Sequence, residues 1–556
     1  MRRRSVPLSL ALLLVVAACG GGGSGEGTAG NATTSTAKAG SNGGGARTST
    51  DGATTSSTAP AGATTSNGST SIDPSPSDPV APGATRIRYE VGPIDIKPGQ
   101  NNIAFTAGDV PKPPQSGWIT RMAPNIRYAD GTVPPVDVIH LHHGVWLNAS
   151  RRDLTKSSLP ERFMAAGEEK TIQSMPAGYG YRYDQGDRWM INYMMHNLWP
   201  KPGKIWITYI LDFIPDSAPQ AASIKAATPL WMDVQNGSVY PVFDVLQGSG
   251  KGGQFTYPDD ATDPYRGGAP ANQFVLPESG TLIGTGGHLH PGGTKDTLFL
   301  QRPGATASAG VPTKDGKADV VRLFTSVAKY YEPAGPVSWD LSMTVTRPDW
   351  RVAVKQGDTL EMSATYNSDR ASWYESMGIM LTWFAPGETS GPDPFTTNVD
   401  KPGQVTHGHL AENNNHGGQP DPKNYQDLTK LPSKPLTGPI MIDNFVYSRG
   451  DMSVASSIPS VKVGQSITFD NSADAARENG IWHTITVCKA PCNGKTGIAF
   501  PLANGPVVFD SGELGSAGAP TAGRVTWQTP ANLPPGTYTY FCRIHPFMRG
   551  AFRVEP

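Results

Sequence analysis

The amino-acid sequence predicts an all-β protein built from sandwiches. Short runs rich in β-branched and aromatic residues recur along the chain, as at 85–91, 204–211 and 377–384. Clusters of Gly, Pro, Asn and Asp separate these runs, and apolar residues rarely recur at helical spacing. Short strands divided by turn signals are typical of β-sandwiches. We therefore expect two jelly-roll-like sandwiches followed by a third, C-terminal β-domain.

The first residues predict export and a lipid anchor. Three arginines precede the apolar run 6–16, and small residues then lead to Cys19. This is the pattern of a signal peptide, and the run is too short to span a bilayer. Because small residues directly before a cysteine resemble a bacterial lipobox, we expect Cys19 to be lipidated and the protein to be held at the outer face of the cytoplasmic membrane. An ordinary secretory signal with a chance cysteine is the alternative.

Composition divides the rest of the chain. Residues 19–85 are mostly Gly, Ser, Thr and Ala, which bury too little apolar surface to fold, so they predict a flexible stalk. The net charge is −1 and no basic run follows the signal, which argues against a nucleic-acid partner. The predicted boundaries are a signal peptide at 1–18, a stalk at 19–85, sandwiches at 86–220 and 221–388, an interdomain segment at 389–437 and a β-domain at 438–556.

The four cysteines divide by context. Cys19 is the predicted lipid site, and Cys542 lies among candidate metal ligands near the C-terminus. Cys488 and Cys492 are left as a pair around a short loop. Outside the cytoplasm a disulfide between them is expected. A second metal site at this pair is the alternative, although no matching ligands follow at zinc spacing.

The C-terminal motif predicts a blue-copper site. Cys542, His545 and Met548 lie on one short loop, and His483 comes from an upstream strand. A thiolate, two imidazoles and a weak axial thioether suit copper that cycles between two oxidation states. In these residues the domain resembles the cupredoxins, most closely those with a Cys-x-x-His-x-x-Met loop. The resemblance implies one copper ion and electron transfer with a redox partner protein or a small-molecule reductant.

Six further histidines fall in the two predicted sandwiches. They are His140, His142 and His143 in one run, His196 on a following strand, and His288 with His290. In a His-x-His pair on a strand both imidazoles point to one face, where they can share a metal. Imidazole suits copper and zinc alike.

The order of these motifs resembles two families, the plant stress-upregulated nodulins and the copper monooxygenases typified by peptidylglycine α-hydroxylating monooxygenase. The matching segments are Leu141-His142-His143, Trp189-Met190-Ile191-Asn192 and Met377-Gly378. The resemblance implies one copper on His142, His143 and His196, and a second on His288, His290 and Met377, facing the first across a solvent cleft. Strand geometry by itself pairs His140 with His142, making His140 a possible extra ligand; a bulge would bring His142 and His143 together.

The interdomain segment contains a third group, His407, His409 and His416. Gly and Asn neighbours indicate loops, so a polar linker with incidental histidines and a further metal site are both open.

These patterns favour a surface-anchored copper oxidoreductase whose cupredoxin passes single electrons to or from a two-copper, monooxygenase-like region. A copper-sequestering or copper-delivery lipoprotein without turnover is the alternative. A third interpretation keeps the cupredoxin alone as functional. Residues 86–388 contain no cysteine, unlike the disulfide-rich monooxygenases, and show no counterpart of the Arg and Tyr that bind a peptide carboxylate there. Peptide amidation is therefore not supported.

Overall fold

The structure is a computed structural model of the chain. The residues that it describes are 48–50, 79–97, 100, 103–106, 108–136, 138–198, 202–234, 242–261, 272–331, 339–369, 372–410, 412, 427–443, 446–447, 456–476, 481–488, 507–515, 524–543, 545 and 548–556. The predicted signal peptide, Cys19, Cys492, His416 and most of the stalk lie outside them, as does the side chain of Cys488. The predicted lipid anchor and disulfide therefore stay predictions.

The prediction of an all-β protein is confirmed. Thirty-four strands and one four-residue α-helix, α1 (Ser472–Ala475), are present in the described part of the chain, with short 3₁₀ turns at Pro219–Ser223 and Leu428–Lys430. No helix within the described ranges is both long and apolar enough to cross a membrane.

The first group of strands forms a seven-stranded sheet and a four-stranded sheet. Its strand β11 still pairs with β8, so pairing in this group runs past the predicted boundary at residue 220. The strands are β1 (Thr48–Thr50), β2 (Thr85–Ile96), β3 (Ile103–Phe105), β4 (Gly117–Arg127), β5 (Ile139–Arg152), β6 (Pro160–Gly167), β7 (Gln173–Ser174), β8 (Tyr179–Tyr183), β9 (Trp189–Asn197), β10 (Gly203–Pro215) and β11 (Lys225–Ala226).

The second group forms an eleven-stranded sheet and a two-stranded ribbon. The strands are β12 (Thr228–Asp233), β13 (Phe243–Val245), β14 (Gln254–Tyr257), β15 (Gln273–Val275), β16 (Gly280–Leu289), β17 (Gly293–Gln301), β18 (Val320–Tyr330), β19 (Leu341–Val345), β20 (Val352–Val354), β21 (Thr359–Asn367), β22 (Trp373–Ser376), β23 (Gly378–Pro386) and β24 (Gln404–Val405).

The third group forms a six-stranded sheet and a four-stranded sheet, as expected for the C-terminal β-domain. The strands are β25 (Ser433–Pro435), β26 (Ile440–Asp443), β27 (Val446–Tyr447), β28 (Ile458–Lys462), β29 (Thr468–Asp470), β30 (Thr486–Cys488), β31 (Val507–Asp510), β32 (Thr526–Gln528), β33 (Gly536–Phe541) and β34 (Arg549–Glu555).

The first two groups share buried surface. One hydrophobic cluster joins residues of β4, β5, β9 and β10 to residues of β12 and β23, among them Trp231, Leu381 and Trp383. Alternating strand residues from both groups face this cluster, and their burial holds the groups together. This packing brings β5 and β9 close to β16, which is what places their histidines side by side.

The pairing of β5 with β9 is interrupted at one residue. Leu141 pairs with Met195 and His143 pairs with Met194, so His142 is the extra residue of a bulge. A bulge breaks the strict alternation of side chains and redirects the extra one. The bulge considered from the sequence is therefore present.

Candidate metal centres

The C-terminal hairpin gathers the predicted blue-copper ligands. Cys542 follows β33, Met548 precedes β34, and His483 lies just before β30. Two backbone hydrogen bonds close the loop: the amide of Cys542 donates to the carbonyl of Met548 at 3.2 Å, and the amide of Met548 donates to the carbonyl of His545 at 2.8 Å. All four side chains are buried. The loop therefore presents three predicted ligands to the histidine on the neighbouring segment.

The distances within this set fit a metal ion. The Cys542 sulfur lies 3.8 Å from Nδ1 of His483 and 3.7 Å from Nδ1 of His545. A metal ion with a bond of about 2.3 Å to sulfur and one of about 2.0 Å to nitrogen, at a trigonal angle of about 120°, places the sulfur and nitrogen about 3.7 Å apart. The two Nδ1 atoms are 3.0 Å apart. The donor set and its spacing therefore match a His₂Cys copper site.

Neighbouring groups favour the thiolate form of Cys542 and fix the orientation of His483, both of which suit the binding of a cation. Burial opposes ionisation of the Cys542 thiol, but the facing imidazoles of His483 and His545 outweigh it and hold its pKa well below the usual range. The amide of Thr484 donates to the same sulfur at 3.4 Å. Nε2 of His483 lies 2.9 Å from a carboxylate oxygen of Asp474, which leaves Nδ1 to face the sulfur. Such outer partners orient the ligands.

The histidines of the first two strand groups form one buried cluster. Nε2 of His140 lies 3.1 Å from Nδ1 of His196, and Nε2 of His288 lies 3.1 Å from Nε2 of His290. The rings of His142 and His290 are 3.8 Å apart between centroids. The two ligand sets predicted from the monooxygenase resemblance therefore touch, and no cleft separates His142 from His290.

Four of these histidines share one hydrogen-bonding pattern. Nδ1 of His140 donates to the carbonyl of Val136, and Nδ1 of His290 donates to the carbonyl of Glu375. A carbonyl only accepts, so in a neutral ring Nε2 carries the lone pair. In the same way Nδ1 of His142 bonds Glu168 and Nδ1 of His288 bonds Glu169. A second partner that fixes the tautomer and aims the other nitrogen is the usual setting of a metal-bound histidine.

Burial keeps the cluster neutral. It lowers the pKa of His140 to about 3 and that of His143 to about 3. Burial and then the neighbouring imidazoles lower the pKa of His142, His196 and His290 well below the usual range. A neutral imidazole is the form that binds a metal. At neutral pH protons therefore do not compete for these nitrogens.

Within the histidine cluster, the described residues include two ligand groups at metal-binding distance. One consists of His140, His142 and His196, and the other of His142, Glu168 and His290. The donor atoms of each group lie within 4.8 Å of one another. Glu168 was not predicted as a ligand. The acidic pair 168–169 directly after a histidine-bearing hairpin was the signal in the sequence, but only the fold shows that its carboxylates reach the imidazoles.

His143 and Met377 occupy different surroundings. Nε2 of His143 lies 3.2 Å from the amide oxygen of Asn192, and His143 belongs to neither group. Met377 is buried in the shared hydrophobic cluster. The hydroxyl of Tyr366 accepts from the amides of His290 and Met377, at 3.2 and 3.1 Å, and donates to the carbonyl of Met377. Met377 thus lies beside the cluster, and its role as a ligand stays a prediction.

The third histidine group holds backbone in place. Nε2 of His407 donates to the carbonyl of Glu169, 2.5 Å away. His409 pairs with Asp340. The contact of His407 holds the segment after β24 against the turn that carries Glu168 and Glu169. The two contacts give His407 and His409 structural partners, whereas His416 lies outside the described residues.

The loop 542–548 and the histidine cluster lie within one compact unit, Ala46–Pro556. The Arg543 guanidinium, next in sequence to Cys542, lies 4.3 Å above the ring of Trp373 and donates to the carbonyl of Ser372. Two residues further along β22, a carboxylate oxygen of Glu375 lies 3.9 Å from Nε2 of His196. The charge of His545 in turn contributes to lowering the pKa of His196.

Comparisons with known proteins give weak structural neighbours alone. No protein-family model and no characterised relative matches the chain, so neither supports the nodulin or monooxygenase resemblance. A purple cupredoxin from Nitrosopumilus maritimus is 20% identical over 21% of this chain and 100% of its own, with a TM-score of 0.14. The copper-containing nitrite reductase from Thermus scotoductus SA-01 is 13% identical over 50% of this chain and 55% of its own, with a TM-score of 0.15. The infectious bursal disease virus VP2 particle has a comparable TM-score of 0.16 at 11% identity, over 56% of this chain and 75% of its own. At such scores the neighbours identify no family.

Proposed function

We propose that the protein is a copper oxidoreductase in which the cupredoxin set exchanges electrons with the buried histidine cluster. One observation carries the proposal: a single short strand, β22, contacts both. Arg543 of the cupredoxin loop rests on Trp373 at one end of β22. Glu375 at the other end contacts His196 through its carboxylate and His290 through its carbonyl.

The chemistry of each set suits a different task. Copper held by Cys542, His483 and His545 would shuttle one electron at a time. These residues bury the thiolate, exclude water and fix both imidazoles, so that little has to move when the charge changes. The histidine cluster offers only imidazole and carboxylate donors, which suit copper that binds a further small molecule. The soft thiolate set therefore suits electron supply, and the harder imidazole and carboxylate set suits a reaction with a further molecule.

A short path connects the two metal sets. Arg543 is bonded directly to Cys542, and its guanidinium is anchored by the Ser372 carbonyl, the Trp373 ring and, at 3.9 Å, the Asp510 carboxylate. A cation–π contact and a charged hydrogen bond are each worth about 1–3 kcal/mol. These contacts support a fixed orientation of the cupredoxin loop against β22.

Copper sequestration or delivery without turnover is the second candidate. The observation that favours it is the number of neutral, buried imidazoles, which would retain copper tightly. The cupredoxin set argues for redox chemistry, because storage does not need a thiolate tuned by two histidines. A monooxygenase reaction stays a prediction, and the 3.8 Å contact between the rings of His142 and His290 is not the separated arrangement that the resemblance implies.

The wider setting belongs to the same proposal. We expect the chain to be exported and held by lipid at Cys19, where a redox protein or a small-molecule reductant supplies or accepts electrons. Cell fractionation with a Cys19→Ser variant tests the anchor: wild type should appear with membranes and the variant in the medium or the soluble envelope fraction.

Metal analysis with optical and EPR spectra tests the two sets separately. In the copper-loaded protein, Cys542→Ser should abolish the thiolate-to-copper band and leave the copper of the histidine cluster. His142→Ala, which removes the histidine shared by both ligand groups, should remove the copper of the histidine cluster and leave the band. His143→Gln is the matched control, because His143 lies outside both ligand groups and its replacement should retain all copper. Loss of all copper with Cys542 alone would contradict the proposal.

A further inference from the structure

A cavity of about 350 Å³ lies between the first and second strand groups. Its walls come from β4 and β7 on one side and from β16, β19 and β23 on the other. Cavities of this size are at the lower end of those that hold small organic ligands.

Glu169 and His288, both buried, line the cavity. A carboxylate oxygen of Glu169 lies 2.9 Å from Nδ1 of His288, and the opposite nitrogen of this ring faces His290 at 3.1 Å. A molecule in the cavity therefore lies against a histidine that belongs to the buried cluster. The ring has little freedom, since a Cβ at Gly167 would already come within 2.5 Å of it.

The lining combines positive charge with an apolar wall. Arg121 and Arg347 line the cavity, as does Glu169, whose carboxylate bonds His288. Nε of Arg347 donates to the carbonyl of Pro402 at 3.4 Å. Guanidinium groups bind carboxylates through paired hydrogen bonds. Leu381 and Trp383 also line the cavity and are buried apolar side chains. This combination fits a molecule with one anionic end and a hydrocarbon or aromatic body.

We propose that the cavity is a binding site for a small organic carboxylate, whose anionic group lies at Arg121 and Arg347 and whose apolar part lies against Leu381 and Trp383. The inference goes beyond the proposed function, because binding in the cavity does not require copper. It adds to that function a ligand held against His288, at the edge of the cluster.

The wall includes a glycine at which a blocking side chain fits. A Cβ built at Gly284 meets one atom within 4 Å, Oγ1 of Thr346 at 3.5 Å, which is ordinary van der Waals contact. Thr346 also lines the cavity. Gly284→Leu should therefore fill the space without a clash of its Cβ. Gly186→Leu is the matched control, since a Cβ at Gly186 meets no atom within 4 Å and Gly186 is not part of the lining.

Binding of 3-phenylpropionate, a small carboxylate with an aromatic body, tests the proposal in copper-free and copper-loaded protein. Titration calorimetry and the fluorescence change from Trp383 give the affinity, and 3-phenylpropanamide is the uncharged probe of equal size. We expect saturable binding of the carboxylate at least about tenfold tighter than that of the amide, as one charged hydrogen bond implies. Because the copper-free protein is measured as well, failure to load copper would contradict the proposed function and leave this result intact.

Two variants locate the binding. Arg347→Gln, at an exposed position, should weaken carboxylate binding about tenfold or more and leave amide binding unchanged, whereas Arg188→Gln at an exposed position outside the lining should change neither. Gly284→Leu should abolish binding of both probes, and Gly186→Leu should not. Equal affinity for the amide and the carboxylate would overturn the anionic ligand. Unchanged binding by the Gly284→Leu variant would overturn the site.

Discussion

The pH dependence of stability can be predicted from one carboxyl group where the second strand group meets the third. Asp244 lies on β13, and burial, followed by the charge of Asp510, raises its pKa to about 7 from the ordinary 3.8. Arg524 opposes this rise. The shift therefore reflects first the burial of the carboxyl group and second its nearness to Asp510, and replacing Asp244 with Asn removes the buried group that would ionise.

The sign of the effect follows from proton binding. Between pH 3.8 and about 7 Asp244 is ionised in the unfolded chain and protonated in the folded one. The folded state then binds more protons, so stability falls as pH rises through this window and is level above it. A shift of about three units corresponds to about 4 kcal/mol. Sharing of the shift with Asp510 and partial contact with water reduce the expected loss to about 2 kcal/mol.

Thermal unfolding of copper-free protein at pH 4.5 and pH 8 measures this loss. In a compact unit the size of Ala46–Pro556 the unfolding entropy is about 1 kcal/mol/K, so about 2 kcal/mol corresponds to about 2 °C. Wild type should lose that much more Tm than Asp244→Asn over this range, and Asp349→Asn, at an exposed aspartate, should behave as wild type. Equal losses of Tm in Asp244→Asn and in wild type would contradict the burial and like-charge contact of Asp244.

Three further predictions concern the metal centres. Glu168→Gln should lower copper affinity of the histidine cluster about 10–100-fold in a chelator competition, whereas Glu161→Gln, at a buried glutamate bonded to a tyrosine, should not change it. Gly167→Ala places a methyl group 2.5 Å from the His288 ring; the ring must shift, so the EPR signal of the cluster should change while the blue band is retained, and an unchanged signal would refute the packing. Trp373→Leu removes the ring beneath Arg543 and should slow electron exchange between the centres by about tenfold, which stopped-flow absorbance would measure; an unchanged rate would exclude β22 as the link.

The sequence predicts the C-terminal centre well because its determinants are local. Cys542, His545 and Met548 lie on one loop of seven residues, where spacing by itself fixes proximity. His483 could be added because a resembling family supplies the fourth ligand. Its partner Asp474 lies on the four-residue helix α1, and no pattern in the sequence joins that carboxylate to the imidazole.

The histidine cluster shows where such prediction ends. The motifs on β5, β9 and β16 identify imidazoles, but their grouping depends on how two strand groups pack. The bulge at His142 and the contact of His142 with His290 are long-range outcomes of that packing. Glu168 emerged from the fold for the same reason. Strand periodicity specifies the face of a side chain and not its partner on another sheet.

Rapid one-electron reduction of the copper-loaded protein tests the central claim most directly. An external radical bleaches the thiolate-to-copper band at Cys542, and the recovery of that band is followed under anaerobic conditions. We expect recovery at a rate independent of protein concentration in wild type and in His143→Gln, and no recovery in His142→Ala, which lacks the histidine shared by both ligand groups. A band that stays bleached in wild type, or recovers equally without His142, would contradict electron exchange between the two centres.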